Sequence, residues 1–362
     1  MDYNKLIGRE PIDLKPSECS YYLKNKRVLI TGAGGSIGSE LSKQMLFSLA
    51  ERLYLFDHSE QNLFEIDRDL SKIKNKYSLL THIEPVVGEL QDPSYIDFII
   101  KRLNVDIVFH AAAHKHVFLS ERNPVETIKN NVFGTLNLIN SCKKFNVSKF
   151  ILISTDKAVE PISIYGASKF LAEELVLNEF DSHRFLIVRF GNVIGSSGSV
   201  IPIFEEQIKH GKPLTVSSKL ARRYFMTIEE AVSLVIRVGD VGLGGELYIL
   251  DMGEQVYIED IAKKLMKLYN REDLNIEYVG LKKGEKKEEK LYFDDEEVES
   301  TDFPGILRAK RVIRMDIKNT IRELAPICFF DHNFPELYRN RIELRKSFNK
   351  ILPTIKMGNR RY

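Results

Sequence analysis

The chain has 362 residues, of which 43% are hydrophobic and 29% charged, a composition typical of a globular protein with a sizeable core. Its net charge of +2 is the small difference between 53 basic and 51 acidic residues, so it predicts no nucleic-acid partner. There is no signal-peptide pattern and no run of roughly 18 apolar residues, and the three cysteines are widely spaced, which predicts a cytoplasmic protein without membrane insertion, disulfides or a metal site: Cys19, Cys142 and Cys328.

The predicted elements begin with RVLIT at 27–31, an apolar run that stops at a glycine cluster as a buried parallel strand does. A helical pattern follows, and then strand RLYLFD, which ends at Asp57. Strand and helix alternate for about 170 residues, which favours an α/β fold with a Rossmann-type, doubly wound parallel sheet. The other predicted strands are EPVVGEL (84–90), VDIVFHAAA (105–113), KFILIST (149–155), RFLIVRFGNV (184–193) and ELYILDM (246–252), and the predicted helices cover 95–103, 124–144, a segment starting near Tyr165, and 228–238.

These elements predict a sheet domain and a smaller, discontinuous C-terminal substrate lobe. The sheet domain comprises 23–194 plus 226–256, because the helix and strand of the second range would rejoin the sheet. The lobe comprises 195–225 plus 257–330, and extensions cover 1–22 and 331–362. The segment KKGEKKEEKLYFDDEE inside the lobe either covers the substrate or is a solvated loop and strand edge.

The motif TGAGGSIG follows the first strand and opens the first helix. Its Gly32, Gly35 and Gly38 allow a tight turn and a close approach to a pyrophosphate, which then lies on the helix N–H groups. A glycine cluster alone often only forms a turn, but Asp57 follows about twenty residues further on, as a dinucleotide site requires. Asp57 would accept hydrogen bonds from a ribose 2′-OH and repel a 2′-phosphate. The motif therefore predicts NAD rather than NADP, unless His58 offsets that carboxylate.

The glycine spacing resembles that of the extended short-chain dehydrogenase/reductase group, and further blocks of that group follow in order. VGELQD (87–92) resembles the loop under the adenine, with Glu89 where the family has Asp. HAAAHKH (110–116) resembles the end of the fourth strand, and NNVFGT (130–135) the helix that braces the active site. The resemblance implies a tightly bound NAD held by Gly32, Gly35, Ser36, Ile37, Gly38, Asp57, Glu89, Leu90, Ala111, Ala112, Ala113, Asn130, Tyr165 and Lys169.

The stretch STDKAVEPISIYGASK, residues 154–169, holds the candidate catalytic groups. Tyr165 and Lys169 have i,i+4 spacing and lie on one helix face, so the ammonium would lower the pKa of the phenol that takes a proton from a sugar hydroxyl. The alternative is an ordinary amphipathic helix in which Lys169 pairs with Glu173. Thr155 ends a predicted strand, at the sheet edge where such folds bind ligands, and would supply a hydroxyl to the same substrate oxygen.

Asp156 and Lys157 are residues that a simple oxidation does not need, and the alternative for them is a turn with a solvated lysine. Dehydration of a nucleotide-linked hexose does need them. Oxidation at C4 acidifies the C5 proton, a base removes that proton, an acid protonates the departing C6 hydroxyl, and hydride returns to C6. Asp156 suits the acid, and Lys157 suits the base if desolvation and Lys169 depress the pKa of its amine.

Almost the whole chain resembles the nucleotide-sugar 4,6-dehydratases that act on UDP-N-acetylglucosamine (UDP-GlcNAc), of the polysaccharide-biosynthesis branch. The matching blocks are LIGREPIDL, TGAGGSIGSEL, AAAHKHV, NPVETIKNNVFGT, STDKAVEP, RFGNVIGSSGSVIPIFEEQI, RRYFMTIEEA and YILDMGE. The resemblance implies that Thr155, Asp156 and Lys157 are catalytic, and that the protein is a homo-oligomer. It also implies sugar-nucleotide contacts from Lys115, Asn192, Ser196, Gln207, Arg223 and Glu285.

Two departures from the family pattern are visible. Tyr165 stands where many membrane-anchored members have Met, so this chain keeps the ordinary base. The family's Arg-Pro-Gly-Glu-Lys is replaced by KKGEK at 282–286, which weakens any prediction about the nucleotide base that this lobe should cover.

The sequence therefore predicts a hydro-lyase that converts UDP-GlcNAc to a UDP-4-keto-6-deoxy-HexNAc for surface-glycan or flagellin sugar biosynthesis. One alternative is the same reaction on GDP-GlcNAc. Another is a 4-epimerase, which returns hydride without losing water and has no need of Asp156 and Lys157. A third is a dinucleotide-binding regulatory protein, whose expected signature is the loss of Tyr165, Lys169 or the acid.

Overall fold

The computed structural model describes residues 3–10, 12, 14, 20–179, 184–196, 198–310 and 312–352. Its centre is a nine-stranded sheet with the order β14-β15-β11-β6-β5-β4-β1-β2-β3, in which β1 to β6 and β11 run parallel. The strands of the described residues are β1 Arg27–Thr31, β2 Arg52–Asp57, β3 His82–Val87, β4 Ile107–His110, β5 Lys149–Thr155, β6 Phe185–Phe190, β7 Asn192–Ile194, β8 Leu214–Val216, β9 Arg222–Arg223, β10 Phe225–Thr227, β11 Glu246–Leu250, β12 Val256–Tyr257, β13 Ile276–Tyr278, β14 Val298–Ser300 and β15 Ile306–Ala309. The predicted doubly wound parallel sheet is confirmed.

Helices cover both faces of this sheet, and several begin at side chains that accept a backbone N–H. Ser59, Asp92 and Ser163 each accept from the third residue of the helix they precede, at 3.0–3.3 Å. The α-helices of the described residues are Tyr3–Ile7, Ser36–Met45, Glu60–Tyr77, Pro93–Leu103, Val117–Arg122, Pro124–Ile128, Gly134–Lys144, Ile164–Leu177, Val200–Lys209, Ile228–Val241, Ile258–Leu268, Ile317–Cys328 and Arg341–Ile351. None of the described helices is long and apolar enough to cross a membrane.

The direction of winding reverses between β1 and β4. The chain runs from β1 outward through β2 to β3, and then returns to the other side of β1 with β4, β5 and β6. In open α/β sheets a ligand binds in the crevice outside the carboxyl ends of the strands at this reversal. The order of the strands therefore places the site above Thr31 and His110, where β1 and β4 end.

Several predicted elements differ at their ends or interior, and the predicted strand 184–193 is divided at Gly191 into β6 and β7. Strand β3 ends at Val87 and β4 at His110, so Glu89 and the alanines 111–113 lie in loops above the sheet rather than in strands. The predicted helix over 124–144 is interrupted by a π-helical turn, Lys129–Phe133. Such turns occur frequently at functional sites because they redirect a few side chains.

The apolar side chains form two cores. The main core surrounds the nine-stranded sheet, and a smaller one is built from residues 194–225 and 258–276 together with Leu6 and Ile7 of the N-terminal segment. The main core also takes in Leu291, and β14 and β15 extend the large sheet antiparallel to β11. Residues 291–330, which we expected in the lobe, therefore pack mainly on the sheet domain. Cys142 and Cys328 are buried free thiols, and Cys19 lies outside the described residues.

Candidate active site

A cleft of about 1320 Å³ lies along the carboxyl ends of the parallel strands, between the sheet and the smaller core. Typical small-molecule sites occupy about 300–1000 Å³, so this cleft has room for a dinucleotide and a second ligand. All of the side chains and glycines predicted to bind the cofactor line it. The loop after β1 and the end of β5 face each other across this space.

The glycine loop forms a cradle that larger residues would fill. Gly32 has φ +69°, and a Cβ there would lie 2.6 Å from the Cα of Ala112. A Cβ on Gly38 would lie 2.1 Å from the carbonyl oxygen of Gly32, so this glycine lets the helix pack directly on the strand end. The helix Ser36–Met45 begins here with its N–H groups directed at the cleft. The loop thus fits a pyrophosphate.

The carboxylate of Asp57 binds the glycine loop at the end of β2. Its side chain is 7% exposed, and its Oδ2 accepts a hydrogen bond of 3.0 Å from the N–H of Gly34 while Oδ1 accepts one of 2.9 Å from the N–H of Ser59. The Nδ1 of His58 lies 3.3 Å from Oδ1, and its ring is largely exposed. A carboxylate held rigidly at this position fits a ribose that carries free hydroxyls.

The π-helical turn Lys129–Phe133 places two buried amides under the cleft. Asn130 lines the cleft as predicted, and its amide donates to Asn131 at 3.0 Å. Asn131 accepts from the N–H of His114 at 2.8 Å and donates to the His114 carbonyl at 3.0 Å and to Ser168 at 2.9 Å. Asn131 therefore ties the loop after β4 to the helix that carries Tyr165. The sequence analysis did not predict this structural role of Asn131, although it did single out the motif NNVFGT that contains the residue.

Thr155, Tyr165 and Lys169 meet in the cleft. All three side chains line this space, and the Lys169 ammonium donates to the carbonyl of Ile153 at 2.7 Å. The expectation that Lys169 lowers the pKa of Tyr165 is wrong for the chain as it stands. Burial raises the pKa of that phenol, and the opposing charge of Lys157 does not compensate.

Lys169 does not form the surface pair with Glu173 considered above. Every residue of the helix Ile164–Leu177 is buried, and Glu173 instead bonds Arg189 and Ser154. Burial lowers the pKa of Lys169 to about 8, and the more distant charge of Glu173 only partly opposes this. The helix is therefore an internal element whose first turns face the cleft.

Asp156 and Lys157 form an ion pair beside this set, in which Asp156 is fully buried and the Lys157 side chain is 22% exposed. Lys157 Nζ lies 2.9 Å from Asp156 Oδ1 and 2.8 Å from the side-chain oxygen of Asn192, and Thr155 Oγ1 donates to the same Asp156 oxygen at 2.9 Å. Lys157 lines the cleft, whereas Asp156 is fully buried behind it and its Oδ2 has no hydrogen-bond partner. A Cβ on Gly191 would lie 3.1 Å from that oxygen.

The ammonium form of Lys157 is favoured, contrary to the sequence-based expectation. Burial lowers the pKa of this lysine, but the charges of Asp156 and Glu289 together outweigh burial, so that its pKa is raised above the ordinary value. Lys169 was expected to lower the pKa of Lys157, but the carboxylates of Asp156 and Glu289 have the larger effect on it. Glu289 comes from a segment distant in sequence, which no local pattern around Lys157 indicates.

Most of the residues predicted to contact substrate line the cleft: Lys115, Asn192, Ser196, Arg223 and Glu285. Gln207 does not line it. Its amide donates to the hydroxyl of Thr215 at 2.8 Å and accepts from the Thr215 N–H at 3.1 Å, and it is Thr215 that reaches the cleft. The Arg223 guanidinium donates to the carbonyls of Lys286 and Lys287 at 2.7 and 3.0 Å.

The charged segment 282–290 is largely exposed, but part of it packs on the turn that follows β5, Asp156–Ala158, and on Val159. Lys286 Nζ donates to the carbonyl of Val159 at 2.7 Å and pairs with Glu289 at 3.0 Å, and Glu289 is 4% exposed. Lys283 pairs with Glu121 at 3.2 Å. Five of the eight charged residues of the segment are exposed: Lys282, Lys283, Lys287, Glu288 and Lys290. Lys286 and Glu289 are site residues that sequence reasoning missed, because a run of alternating charges usually marks a solvated surface.

Comparison with known proteins gives relatives named for polysaccharide biosynthesis, for 4,6-dehydration and for 4-epimerisation, the last including a UDP-glucose 4-epimerase of Rickettsia bellii that is 33% identical, covering 78% of this chain and 82% of that protein. The model of the family described as polysaccharide biosynthesis protein matches residues 28–311. The chain is 43% identical over 315 residues to the capsular polysaccharide biosynthesis protein CapD of Staphylococcus aureus, covering 86% of this chain and 52% of CapD, so that it spans about half of that protein. It is 32% identical to a UDP-N-acetylglucosamine 4,6-dehydratase (inverting) of Campylobacter jejuni, covering 75% of this chain and 78% of that protein. The structure of Pen from Bacillus thuringiensis superposes with a TM-score of 0.74 at 33% identity, covering 81% and 91% of the two chains.

Proposed function

The chain belongs to the polysaccharide biosynthesis protein family of extended short-chain dehydrogenases/reductases, and we propose that it is a nucleotide-sugar 4,6-dehydratase acting on UDP-GlcNAc. The product is a UDP-4-keto-6-deoxy-N-acetylhexosamine. The C. jejuni relative, named for this substrate and reaction, supports the assignment. The assignment of CapD to capsular polysaccharide biosynthesis supports a role in making surface polysaccharide.

The observation that carries this proposal is the Asp156–Lys157 ion pair, 2.9 Å long, beside the Thr155–Tyr165–Lys169 set. An oxidoreductase needs only the second set. The Asp156–Lys157 pair adds a carboxyl group and an amine. If the C4 hydroxyl of the substrate met Tyr165, these two groups would be near the substrate's hydroxymethyl group. This is the extra acid and base that the loss of water requires.

NAD is the proposed cofactor, and its chemistry is to accept a hydride from C4 and to deliver it to C6. The glycine cradle, the helix N-terminus and the fixed carboxylate of Asp57 fit its pyrophosphate and its adenine ribose. Lys169 would hold the nicotinamide ribose. Tyr165, in its phenolate form, would take the proton of the C4 hydroxyl and become a neutral phenol, with the Thr155 hydroxyl bonded to the same oxygen.

The Asp156–Lys157 pair then catalyses the loss of water. Moving one proton from Lys157 to Asp156 along their hydrogen bond gives a neutral amine and a neutral acid. The amine takes the C5 proton, the acid gives its proton to the departing C6 hydroxyl, and both groups return to their charged forms. Since Asp156 lies behind Lys157, the lysine must turn toward C5 for the acid to reach the C6 oxygen.

A 4-epimerase is the second candidate, because Thr155, Tyr165 and Lys169 would serve the oxidation and return of hydride equally well. It leaves the Asp156–Lys157 pair, whose carboxylate is fully buried, without a role. Burying an ion pair rarely stabilises a fold more than apolar residues would, so a reason for keeping it is needed. Dehydration supplies that reason.

The test is to incubate the purified chain separately with UDP-GlcNAc and GDP-GlcNAc and to examine the products by mass spectrometry and proton NMR. We expect the UDP sugar to lose the mass of one water and to gain a C6 methyl signal. An unchanged mass with altered ring coupling constants would establish the epimerase instead. Turnover of only the GDP sugar would correct the nucleotide, and no turnover of either would contradict the proposal.

A further inference from the structure

The loops that precede β1, β2 and β3 meet at the end of the sheet opposite the cleft. The N–H of Asn25 donates to the carbonyl of Leu49 at 3.1 Å, which joins the first loop to the second. The hydroxyl of Thr81 donates to the carbonyl of Ala50 at 2.9 Å, which joins the second loop to the third. These contacts bring segments 21–26, 46–51 and 74–82 together into one surface.

This surface presents a group of apolar side chains to solvent, which we call the amino-end patch. Two of its rings, Phe47 and Tyr77, pack edge to face with centroids 5.5 Å apart. Single exposed apolar residues are ordinary, but a contiguous group on one surface usually marks an interaction site. The members and their exposed fractions are Tyr21 76%, Phe47 40%, Leu49 66%, Tyr77 53% and Leu80 95%.

Leu49 is unfavourable here on two counts. Its backbone has φ +60°, the left-handed region in which glycine and asparagine are at ease and a leucine is strained. Its side chain is two-thirds exposed, so it gains little from packing on this chain. Asn25 and Ser78, in the neighbouring loops, show the small polar residues that this backbone ordinarily takes. An exposed leucine at such a position has no evident value for the fold itself.

The patch has a cationic rim. Lys24, Lys26, Lys74 and Lys76 lie on the same three segments, and in the described part of the chain none of them has a carboxylate within 4.0 Å. Lys24 and Lys76 lie over the rings of Tyr21 and Tyr77, 5.6 and 5.0 Å from the centroids. Glu51, the acid of these segments, is 3.6 Å from Arg52. The rim therefore carries a positive charge that nearby acids do not cancel.

We propose that the amino-end patch docks on the surface of an anionic lipid bilayer. Leu49 and Leu80 would enter the boundary between headgroups and acyl chains, Tyr21 and Tyr77 would lie at headgroup level, and the lysines would contact lipid phosphates. The charge of the rim favours this occupant over a neutral or basic protein surface. Since the cleft opens at the other end of the sheet, it stays accessible to a water-soluble substrate while the patch is docked. This inference is independent of the reaction proposed above.

The test is flotation of the purified chain with vesicles of phosphatidylcholine and phosphatidylglycerol in equal parts, and with phosphatidylcholine alone. We expect binding to the anionic vesicles, weakened by high salt. Each lysine near the membrane surface adds a factor of about five in affinity, so Lys24→Gln with Lys26→Gln should weaken binding by roughly twenty-fold or more. Leu49→Asn with Leu80→Ser should weaken it by about tenfold or more, because both side chains that enter the lipid are removed.

Controls separate docking from a folding defect. Ile342→Ser removes an equally exposed apolar side chain, 67% exposed, from the C-terminal helix and should leave vesicle binding unchanged. Leu49→Asn alone should not lower the melting temperature, because asparagine suits the left-handed backbone. Absence of binding to anionic vesicles, or equal binding by the patch variants, would overturn the proposal. A concentration-dependent dimer that Leu80→Ser abolishes would overturn it too, and would assign the patch to a second copy of the chain.

Discussion

Thr155, Asp156 and Lys157 are consecutive residues, yet their side chains do not share the same surroundings. Thr155 and Lys157 line the cleft, and Asp156 is buried behind them with one oxygen bonded to both neighbours. The order and spacing of these residue types could be read from the sequence. The charge on Lys157 could not, because Glu289, a residue from another part of the chain, helps to set it.

Removing either member of the pair should block the loss of water and leave dinucleotide binding intact. We expect Asp156→Asn and Lys157→Ala each to lower kcat by about 10²–10⁴, the usual contribution of a general acid or base. Mass spectrometry of the product and absorbance of the bound nicotinamide measure the two effects separately. Tyr165→Phe is the control, because it should stop the reaction before any hydride moves. Normal turnover in both Asp156→Asn and Lys157→Ala would contradict these roles.

The activity should decline as the pH rises past about 8 because of Lys169. Burial lowers the pKa of its ammonium to about 8, so the charge that we propose holds the nicotinamide ribose is lost above that pH. The measurement is the pH dependence of kcat/KM. Lys169→Arg keeps its charge, and we expect its lower activity to persist to higher pH. An identical alkaline decline in that variant would assign the transition to another group.

At the scale of elements, the helix Ile164–Leu177 is held between the sheet and the segment that follows residues 282–290. Arg189, at the end of β6, binds Glu173 of this helix at 2.6 Å and Glu296 of that segment at 2.8 Å. It also donates to the carbonyl of Leu291 at 3.1 Å. The side chains of all three charged residues are less than 7% exposed. One guanidinium thus connects three elements around the site.

Replacing Arg189 with Met should destabilise the whole arrangement, because it takes from two buried carboxylates, Glu173 and Glu296, the guanidinium charge that they share. Breaking such a buried pair costs about 3–5 kcal/mol, and urea unfolding would measure it. Arg222→Met is the matched control, since it breaks the exposed pair with Glu288 and should change the free energy of unfolding little. Adding Glu173→Gln and Glu296→Gln to Arg189→Met should restore part of the loss. Equal stability of the Arg189 and Arg222 variants would contradict this account.

The elements that sequence patterns predicted well are those with a continuous apolar run. β1, β2 and β5 match their predicted bounds because these strands are buried on both faces and their charged, serine and threonine side chains stand only at or next to their ends. β14 was missed, since VES is short and polar and becomes a strand only by pairing with β15. The π-helical turn at Lys129–Phe133 was missed as well, because its sequence is compatible with an uninterrupted helix.

At the scale of the molecule, two hydrophobic cores face each other across the cleft, and segments distant in sequence contribute to both. Leu6 and Ile7 join the smaller core, and Arg9 pairs with Glu230 at 2.9 Å. Residues after 290 return to the larger one. A sequence shows which residues are apolar, but not which of two cores each will join. The doubly wound sheet, with ligands bound at the carboxyl ends of its strands, was predictable from the alternation of strands and helices. The extent of the lobe was not.

The stability of the molecule should fall as the pH rises toward neutrality, because of Glu174. This side chain is buried where the helix Ile164–Leu177 meets the segment before Ile317, and it accepts the N–H of Arg314 at 3.1 Å. Burial raises its pKa from the ordinary value of 4.5 to about 7, with the Arg314 N–H opposing the shift. A folded-state pKa above the unfolded one means that the folded chain holds the proton more tightly. The resulting stability is complete below about 4.5 and is lost as the pH passes through about 7.

Glu174→Gln should remove this dependence, since glutamine stays neutral and its oxygen can still accept the Arg314 N–H. We expect the variant to exceed the parent by about 1–3 kcal/mol in the free energy of unfolding above the raised pKa, and to match it in acid. Urea unfolding across this pH range measures both. Glu277→Gln, at an exposed position, should change the free energy of unfolding neither in acid nor above the raised pKa. A stability difference that does not vary with pH would show that Glu174 acts through its shape and hydrogen bond rather than through its charge.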